Sequence, residues 1–549
     1  MDASWPSNCD EPYDITGFWQ KDIYATTGSS GTAYVDLGGW QGDVSEVAIA
    51  VPEITGETST QMAYWAGSTW SVDLVNNTGA APGRYEAWIT AHSGGPDSPA
   101  VHEKVEVLVI KEPKITLDPS VTHQTITGWE VTGWAGDYWE PAFDNYKDEL
   151  FNRMVNEAGI TRVRLELRSG AENSTDYWTL YYNGDIDYDT WRANRYATVN
   201  DNSDPFDTDE SGFHFSELDF TTERIVLPLM AQMSAIGESL YVNLNYVAFT
   251  GQITMGGDYH HGDPDEYAEF IVAAFNHLDQ TYGFTPDAIE ILLEPDNVSQ
   301  WNGTSVGNAI VALMPRLQAA GFNPEVIAPS CSSMGNNINY FNGLAAVSWA
   351  VDYMTELSYH RYGQSYAQLL QIVSQAEQYG LQTSMLEWWN DNNGHGTLHE
   401  DLAVGLNSAW QQGVIAGASP GGTVDNGMSL YIVDTADPDN PVVEINKKTR
   451  ILRQYYVYVR PGAVRIDAAS ADPAFEPLAF VNIGGDYVVV VKVGIGGEIP
   501  IKGLPDAEYS ATFASAVDYN DYDIDLPVEA FGGVVTVDVP EAGVVTIHE

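Results

Sequence analysis

Two glutamates stand where a chain would place working carboxylates. In AIEILLEPDNVSQW, residues 288–301, an apolar run stops at Glu294-Pro295 and opens into polar residues and Trp301. In TSMLEWWN, residues 383–390, a second apolar run stops at Glu387, followed by Trp388 and Trp389. A buried strand ending in an acid fits a parallel barrel, whose catalytic groups sit at the C-terminal ends of its strands. Side chains alternate along a strand, so acids at matching ends of two barrel strands project at one rim. Two carboxylates facing across a sugar are the equipment of glycoside hydrolysis. One protonates the leaving oxygen, the other attacks the anomeric carbon, and a separation of roughly 5 Å gives retention. A single strand-end Glu is more often a solvated loop acid; two at matched ends, each flanked by Trp, favour the catalytic reading.

Other clusters carry weaker signals. His395, His399 and Glu400 have the spacing of a zinc pair on a helix. Thr397-Leu-His-Glu400, however, reads as a capping box that leaves His395 ahead of the helix, so no metal is expected. His260-His261 precede an Asp-Pro helix start near the rim of the third strand and read as a solvated loop. The acidic stretch DNSDPFDTDESG, residues 201–212, suggests calcium but lacks the spacing and central Gly of a known calcium loop. Trp129, Trp134, Trp139, Trp301, Trp388 and Trp389 fall at or just beyond strand ends. For each, stacking on a sugar and core packing both remain open.

These residues need a scaffold. Residues 1–112 carry short alternating runs such as GTAYVDLGGW, TWSVDLVN and HEKVEVLVIK between Gly, Pro, Asn and Ser clusters. They predict an N-terminal β-sandwich accessory domain without a helix. From 113 to 453 strands and helices alternate: QTITGWEVTG with NYKDELFNRMVNEAG, ITRVRLEL with TERIVLPLMAQMSAIG, ESLYVNLNYV with DPDEYAEFIVAAFNHLDQTYG. In the last pair Asp263 caps and Pro264 takes the first helical position; in the second, Pro228 weakens the helix. AIEILLE, EVIAP, MTELSYH and TSMLEWW continue the series; LHEDLAVGLNSAWQQG reads as a helix and GMSLYIVD as the closing strand. About eight cycles make a (β/α)8 TIM barrel. A doubly wound sheet needs fewer units and a Gly-rich nucleotide turn, which is missing. Residues 454–549 return to strands and tight turns, a C-terminal β-sandwich side domain. The fold class is therefore α/β plus all-β, with the barrel flanked by two sandwiches.

At 549 residues the chain is long enough for two or three domains. The 77 acidic residues outnumber 23 basic ones, and the net charge of −54 is spread over most loops. Such a surface repels nucleic acids and anionic polysaccharides and favours neutral partners. It suits high ionic strength, where self-repulsion is screened, and equally an ordinary acidic extracellular protein. No apolar run reaches membrane-span length, so no membrane insertion is expected. MDASWPSNCDEP lacks the features of a signal peptide, so either the chain starts after a removed signal or it never had one. Secretion is the expectation. Cys9 and Cys331 make neither a disulfide framework nor a metal site and are expected to be unpaired.

The sequence resembles retaining glycoside hydrolases with (β/α)8 barrels, whose acid/base follows strand 4 and nucleophile strand 7. Within that clan it is most similar to glycoside hydrolase family 30. HQTITGWEVTGWA resembles the family's opening Gln-x-Ile-x-Gly-Phe-Gly strand, GITRVRLELRSG its second strand, and KKTRILRQYYVYVRPGAVRI its last helix running into the side domain. APSCSS and LSYHRYG stand where strands 5 and 6 belong, and the likeness covers about 115–549. It implies Glu294 as acid/base with a raised pKa and Glu387 as nucleophile. Arg164 would keep the nucleophile ionised, and His360 and Tyr362 would line the site. The family pattern places Asn before the acid/base to hold the sugar 2-hydroxyl; here that residue is Leu293. Asn243, Asn245 and Asn297 are candidates to replace that contact.

The resulting expectation is a secreted β-glycosidase acting by double displacement on a neutral β-linked glycan such as β-glucan or xylan, with no cofactor. Candidate substrate contacts are Arg164, Asn243, Asn245, Asn297, Trp301, His360, Tyr362, Trp388, Trp389 and Trp134. The rival readings are a non-catalytic carbohydrate-binding protein with a degenerate cleft, and a nucleotide-dependent enzyme, which the missing phosphate loop disfavours. Sugar, linkage, endo or exo action and oligomeric state are left open by the sequence.

Overall fold

The computed structural model describes residues 15–38, 44–93, 100–136, 138–389, 394–422 and 428–549. Its centre is a closed barrel of eight parallel strands: β1 Gly128–Ala135, β2 Arg162–Arg168, β3 Tyr241–Val247, β4 Ala288–Glu290, β5 Glu325–Pro329, β6 Glu356–His360, β7 Gln382–Glu387 and β8 Asn407–Ser419. β1 pairs back onto β8, Trp129 beside Trp410, which closes the cylinder. Strands covered by helices outside and side chains inside are buried on both faces, as in the unbroken burial of Val242 to Val247, Asn243 and Asn245 included.

The longer helices around it, among the described residues, are α1 Phe143–Asn156, α2 Leu227–Ala235, α3 Pro264–Tyr282, α4 Gly303–Ala320, α5 Met334–Ala345, α6 Tyr366–Tyr379, α7 Gly394–Ala403 and α8 Lys447–Tyr456. α3 shows how local chemistry sets the limits. Asp263 accepts from the backbone N–H of Asp265, Pro264 opens the first turn, and Gly283 closes the helix at φ 73°. Pro228 leaves its mark just before α2, where residues 222–226 form a π-turn; a residue without an N–H disturbs the ladder there.

The eighth strand differs from the sequence reading. NSAWQQG is not helical: α7 ends at Ala403, Leu406 takes a left-handed φ of 53°, and β8 begins at Asn407. Helical spacing in Leu398 and Leu402 ran into a strand whose two buried faces conceal its own period. GMSLYIVD yields the strand Ser429–Asp434, which lies outside the barrel, parallel to the end of β8 and antiparallel to Val442–Ile445.

The side unit is one ten-stranded ladder folded around its own core, including Ile115, Val491, Ile501 and Val537. One of its strands, Ile115–Thr125, comes from before the barrel and pairs with Val464–Ser470 and Gly497–Lys502. The N-terminal unit packs a four-stranded on a five-stranded sheet, with Val35, Ile49, Leu74 and Val107 between them. A single helical turn, Pro52–Thr55, is its exception to an all-strand reading.

Candidate active site

Glu387 ends β7, and Glu294 stands four residues past β4. The stretch between is still held by the neighbouring strands: Ile291 N–H donates to Ile327, Leu293 N–H to Tyr246 and Glu294 N–H to Ser330. Glu294 has a left-handed backbone, φ 48°, rare for a residue with a Cβ. Such strained positions concentrate at functional sites. Here the twist turns the carboxylate into the barrel mouth beside His360, at the end of β6. Oxygen atoms of Glu294 and Glu387 and a ring nitrogen of His360 all lie within 4.8 Å of one another.

Each carboxylate has its own partners. Arg164, on β2 and almost wholly buried, donates from Nη2 to Oε2 of Glu387 at 2.9 Å, and the Tyr362 hydroxyl donates to Oε1 at 3.1 Å. Burial works against the Arg164 cation, but Glu387 and Glu166 carry its pKa above the usual value. Glu294 is bonded at Oε1 to Nδ1 of His360, 3.1 Å, and accepts at Oε2 from Asn297 Nδ2, 2.7 Å. Its pKa runs against the expected rise. Burial pushes it up, yet the bond and charge of His360, with Asn297 and Arg164, bring it below the ordinary 4.5. His360 moves the other way: burial disfavours its cation, while Glu387 and Glu294 raise it above 6.5. The free pair therefore keeps its proton on the imidazole.

The remaining expected residues divide between rim and core. Trp388 packs against the Tyr362 ring at 5.6 Å, and Trp389 donates its backbone N–H to the Tyr362 hydroxyl. Trp134 is 45% exposed. With Trp139, Trp178 and Trp191 it walls a cavity of about 290 Å³ that Glu166 and Arg168 also line. Glu166 approaches Arg164 to 3.6 Å, which joins this cavity to the carboxylates. Trp178 and Trp191 come from two short helices, Tyr177–Tyr182 and Tyr188–Asn194, in the long β2–α2 connection. They were missed, although the aromatic clusters YWTLYY and YDTW were a usable signal. Trp301 is buried and donates to Tyr259, and Trp129 stacks on Tyr456 inside the core.

Asn243 lies deep in the barrel, donating to Glu130 and Glu290, beside the buried Arg162–Glu130 and Arg162–Glu356 pairs. Burial there, eased by Arg162 and aggravated by Glu290 and Glu356, pushes Glu130 up to about 7. Asn245 is buried with neither amide atom bonded to protein. Leu293 is buried against Tyr196, Val247, Phe249 and Ile253, so the position before Glu294 is an apolar contact.

Solved structures share this architecture. The catalytic domain of a GH30 xylanase C from Talaromyces cellulolyticus aligns with TM-score 0.55 and 17% identity, covering 79% of this chain and 99% of its own. A glycoside hydrolase family 30 subfamily 8 xylanase from Clostridium acetobutylicum aligns with TM-score 0.57 and 14% identity, over 80% and 99%. An endo-β1,6-glucanase aligns with TM-score 0.53 and 16% identity, over 82% and 97%. No family model and no curated protein matches the sequence. In fold, the chain resembles family 30 glycoside hydrolases.

Several other sequence readings change in the structure. The helix after β7 starts at Gly394, so Thr397 and Glu400 are not its cap, and His395 and His399 lie one turn apart. His399 bonds the Tyr455 hydroxyl instead, and Glu400 pairs with Arg361. Burial and nearby Lys492 hold His399 down to about 3, and burial with Lys492 and Lys448 holds His395 down to about 4. His261 is buried, not solvated, between Tyr246 and Glu172, while His260 bonds Thr198. The acidic loop 201–212 satisfies its own backbone: Asp201 accepts from Asp209 N–H, Asp204 from Phe206, and Asp209 from Ser211. Among the described residues the only cluster with metal-ligand spacing is Glu294, His360 and Glu387. Cys331 is buried and free; Cys9 lies outside the described residues.

Proposed function

We propose that this protein is a retaining β-glycoside hydrolase that cleaves a neutral β-linked polysaccharide or oligosaccharide, such as β-glucan or xylan, by double displacement. One observation carries the reading: carboxyl oxygens of Glu294 and Glu387 within 4.8 Å of each other. Retaining enzymes hold their two acids roughly 5–5.5 Å apart, whereas inverting enzymes leave room for a water at about 6.5–9.5 Å. Glu387, held by Arg164 and Tyr362, attacks the anomeric carbon. Nδ1 of His360 passes its proton to Glu294, which delivers it to the leaving oxygen, so that both groups are unprotonated when the glycosyl–enzyme forms. In the second half-reaction Glu294 removes a proton from water, the water oxygen displaces Glu387, and His360 regains its proton. The chemistry uses no cofactor.

Substrate contacts in this reading come from Tyr362, Trp388, Trp389 and Trp134 around the mouth, with the aromatic cavity beside Glu166 as an adjoining subsite. Asn297, already bonded to Glu294, acts by positioning the acid. The fold shared with xylanases and a glucanase supports the substrate class, and the acidic shell supports a neutral chain and action outside the cell.

The test separates the two roles. Glu387→Gln should abolish turnover of every β-glycoside, because no nucleophile remains. Glu294→Gln should lose about 10²–10⁴-fold on natural glycans and much less on aryl glycosides whose leaving group needs no proton. Proton NMR should show the β-anomer as first product; an α-anomer refutes retention. Equal loss in both variants on both substrate types refutes the role assignment.

A further inference from the structure

The N-terminal sandwich has two outer faces of opposite character. On the five-stranded sheet, charges pair across strands, Arg84 with Glu106 and Lys104 with Glu86. The four-stranded sheet is unlike the rest of this acidic chain. Its strands, Gly17–Gln20, Ser30–Asp36, Ala63–Ala66 and Thr69–Val75, contain no Lys, Arg, His or Glu. Their two acids already accept from hydroxyls: Thr32 donates to Asp73 at 2.6 Å, and Ser68 to Asp36.

Alternation sends Phe18, Val35 and Trp70 into the sandwich core and Trp19 and Tyr34, paired in register, outward. Their rings are stacked 9° from parallel with centroids 5.4 Å apart. Trp65, displaced by a bulge in its strand, meets Tyr34 edge-on at the same distance. Trp19 is 45% and Trp65 60% exposed. Neither indole N–H nor the Tyr34 hydroxyl has a hydrogen-bond partner among the described residues. The unit meets the C-terminal sheet elsewhere, through Lys111 to Glu498 and Glu529 and through Asp22 to Lys502.

We infer that this Trp19–Tyr34–Trp65 face binds neutral polysaccharide, of the class proposed for the cleft. The ligand class rests on the proposed function; the face itself does not. The four strands carry no cation, and exposed Lys21 stands just past the end of Gly17–Gln20, so the ring faces themselves offer little to phosphate or carboxylate polymers. A sugar unit presents an apolar C–H face and a rim of hydroxyls. It matches exposed ring faces whose N–H and O–H groups are free beside Asp and hydroxyl acceptors.

Binding is read on the full chain carrying Glu387→Gln, so that the glycan is not consumed. Retention on insoluble xylan and on microcrystalline cellulose is compared with and without Trp19→Ala and Trp65→Ala together. The expected result is retention on at least one glycan, reduced on the order of tenfold or more by the double change. Melting temperature should be unchanged, Trp→Tyr replacements should keep most of the binding, and wild-type Glu387 with the same two changes should hydrolyse soluble substrates normally. Equal retention of both proteins, or retention of neither, overturns the inference. So does a dimer in sedimentation that the double change dissociates, because the face would then serve self-association. Loss of retention in a chain that hydrolyses no β-glycoside leaves the platform standing and removes only the catalytic reading.

Discussion

Replacing His360 with Leu removes the donor that keeps Glu294 anionic while roughly preserving side-chain bulk. The bond is 3.1 Å long, and the His360 side chain is fully buried. Hydrogen bonds to charged groups contribute about 1.5–3 kcal/mol, and one pKa unit corresponds to about 1.4 kcal/mol. Losing the bond should therefore raise the proton affinity of Glu294 by about 1–2 pH units. Burial, the largest influence on Glu294, is then opposed only by Asn297 and Arg164. In the native protein the catalytic proton belongs to the pair and leaves as pH rises through the His360 value, above 6.5. In the variant it belongs to a carboxyl whose ordinary value is 4.5. The basic limb of kcat/KM on natural glycans should thus move to lower pH in His360→Leu. Stability follows the same groups. His360, raised, contributes fully below pH 6.5 and loses that contribution as pH climbs through its folded value. Glu294, lowered, contributes above pH 4.5 and loses that as pH falls through its folded value. The variant should therefore lose most melting temperature, relative to the native chain, between pH 4.5 and 6.5. Coincident basic limbs in the two proteins, or a stability difference that does not vary with pH, would refute the shared proton.

Tyr362→Phe removes one hydrogen bond to Glu387 and should lower kcat by roughly one to two orders of magnitude, read on aryl glycosides at saturation. Leu293→Asn places an amide among Tyr196, Val247 and Phe249 and should cost about 1–3 kcal/mol of stability in denaturant titration. A rise in activity would show instead that an amide is tolerated beside Glu294 and assists turnover. Sodium chloride from millimolar to molar should raise the melting temperature, because the Debye length shrinks from roughly 30 Å at 0.01 M to 3 Å at 1 M. A flat or falling curve would remove the case for a saline habitat.

Glu294 and Glu387 were legible because each closes an apolar run at a barrel strand, although a left-handed backbone aims Glu294, and Arg164, third in its strand, was legible only through the resemblance to family 30. The barrel was legible from a repeat of strand and helix periods. β8 was not, since a strand buried on both faces has no period to separate it from the helix before it. The proton preference of Glu294 depends on His360, 66 residues away and met only across the barrel mouth. His261 reads as a loop residue until Glu172, 89 residues earlier, closes over it. The aromatic wall on the β2–α2 connection was visible in composition, but its position beside Glu166 follows from tertiary packing.

The strand Ile115–Thr125 has a further consequence for how the protein is made. Its main partner, Val464–Ser470, leaves the ribosome roughly 350 residues later, and synthesis runs at about 5–20 residues per second. For something like 20–70 seconds, then, the nascent chain carries a β-strand whose sheet does not yet exist. An unpaired edge of that kind invites mispairing with other chains. Its sequence works against this: Pro119 removes a donor mid-strand, and the register breaks between Asp118 and Thr122. Those breaks weaken the finished ladder slightly and make the waiting strand a poor template. Mending them with a regular alternating sequence should leave the folded protein at least as stable, yet lower its soluble yield during synthesis.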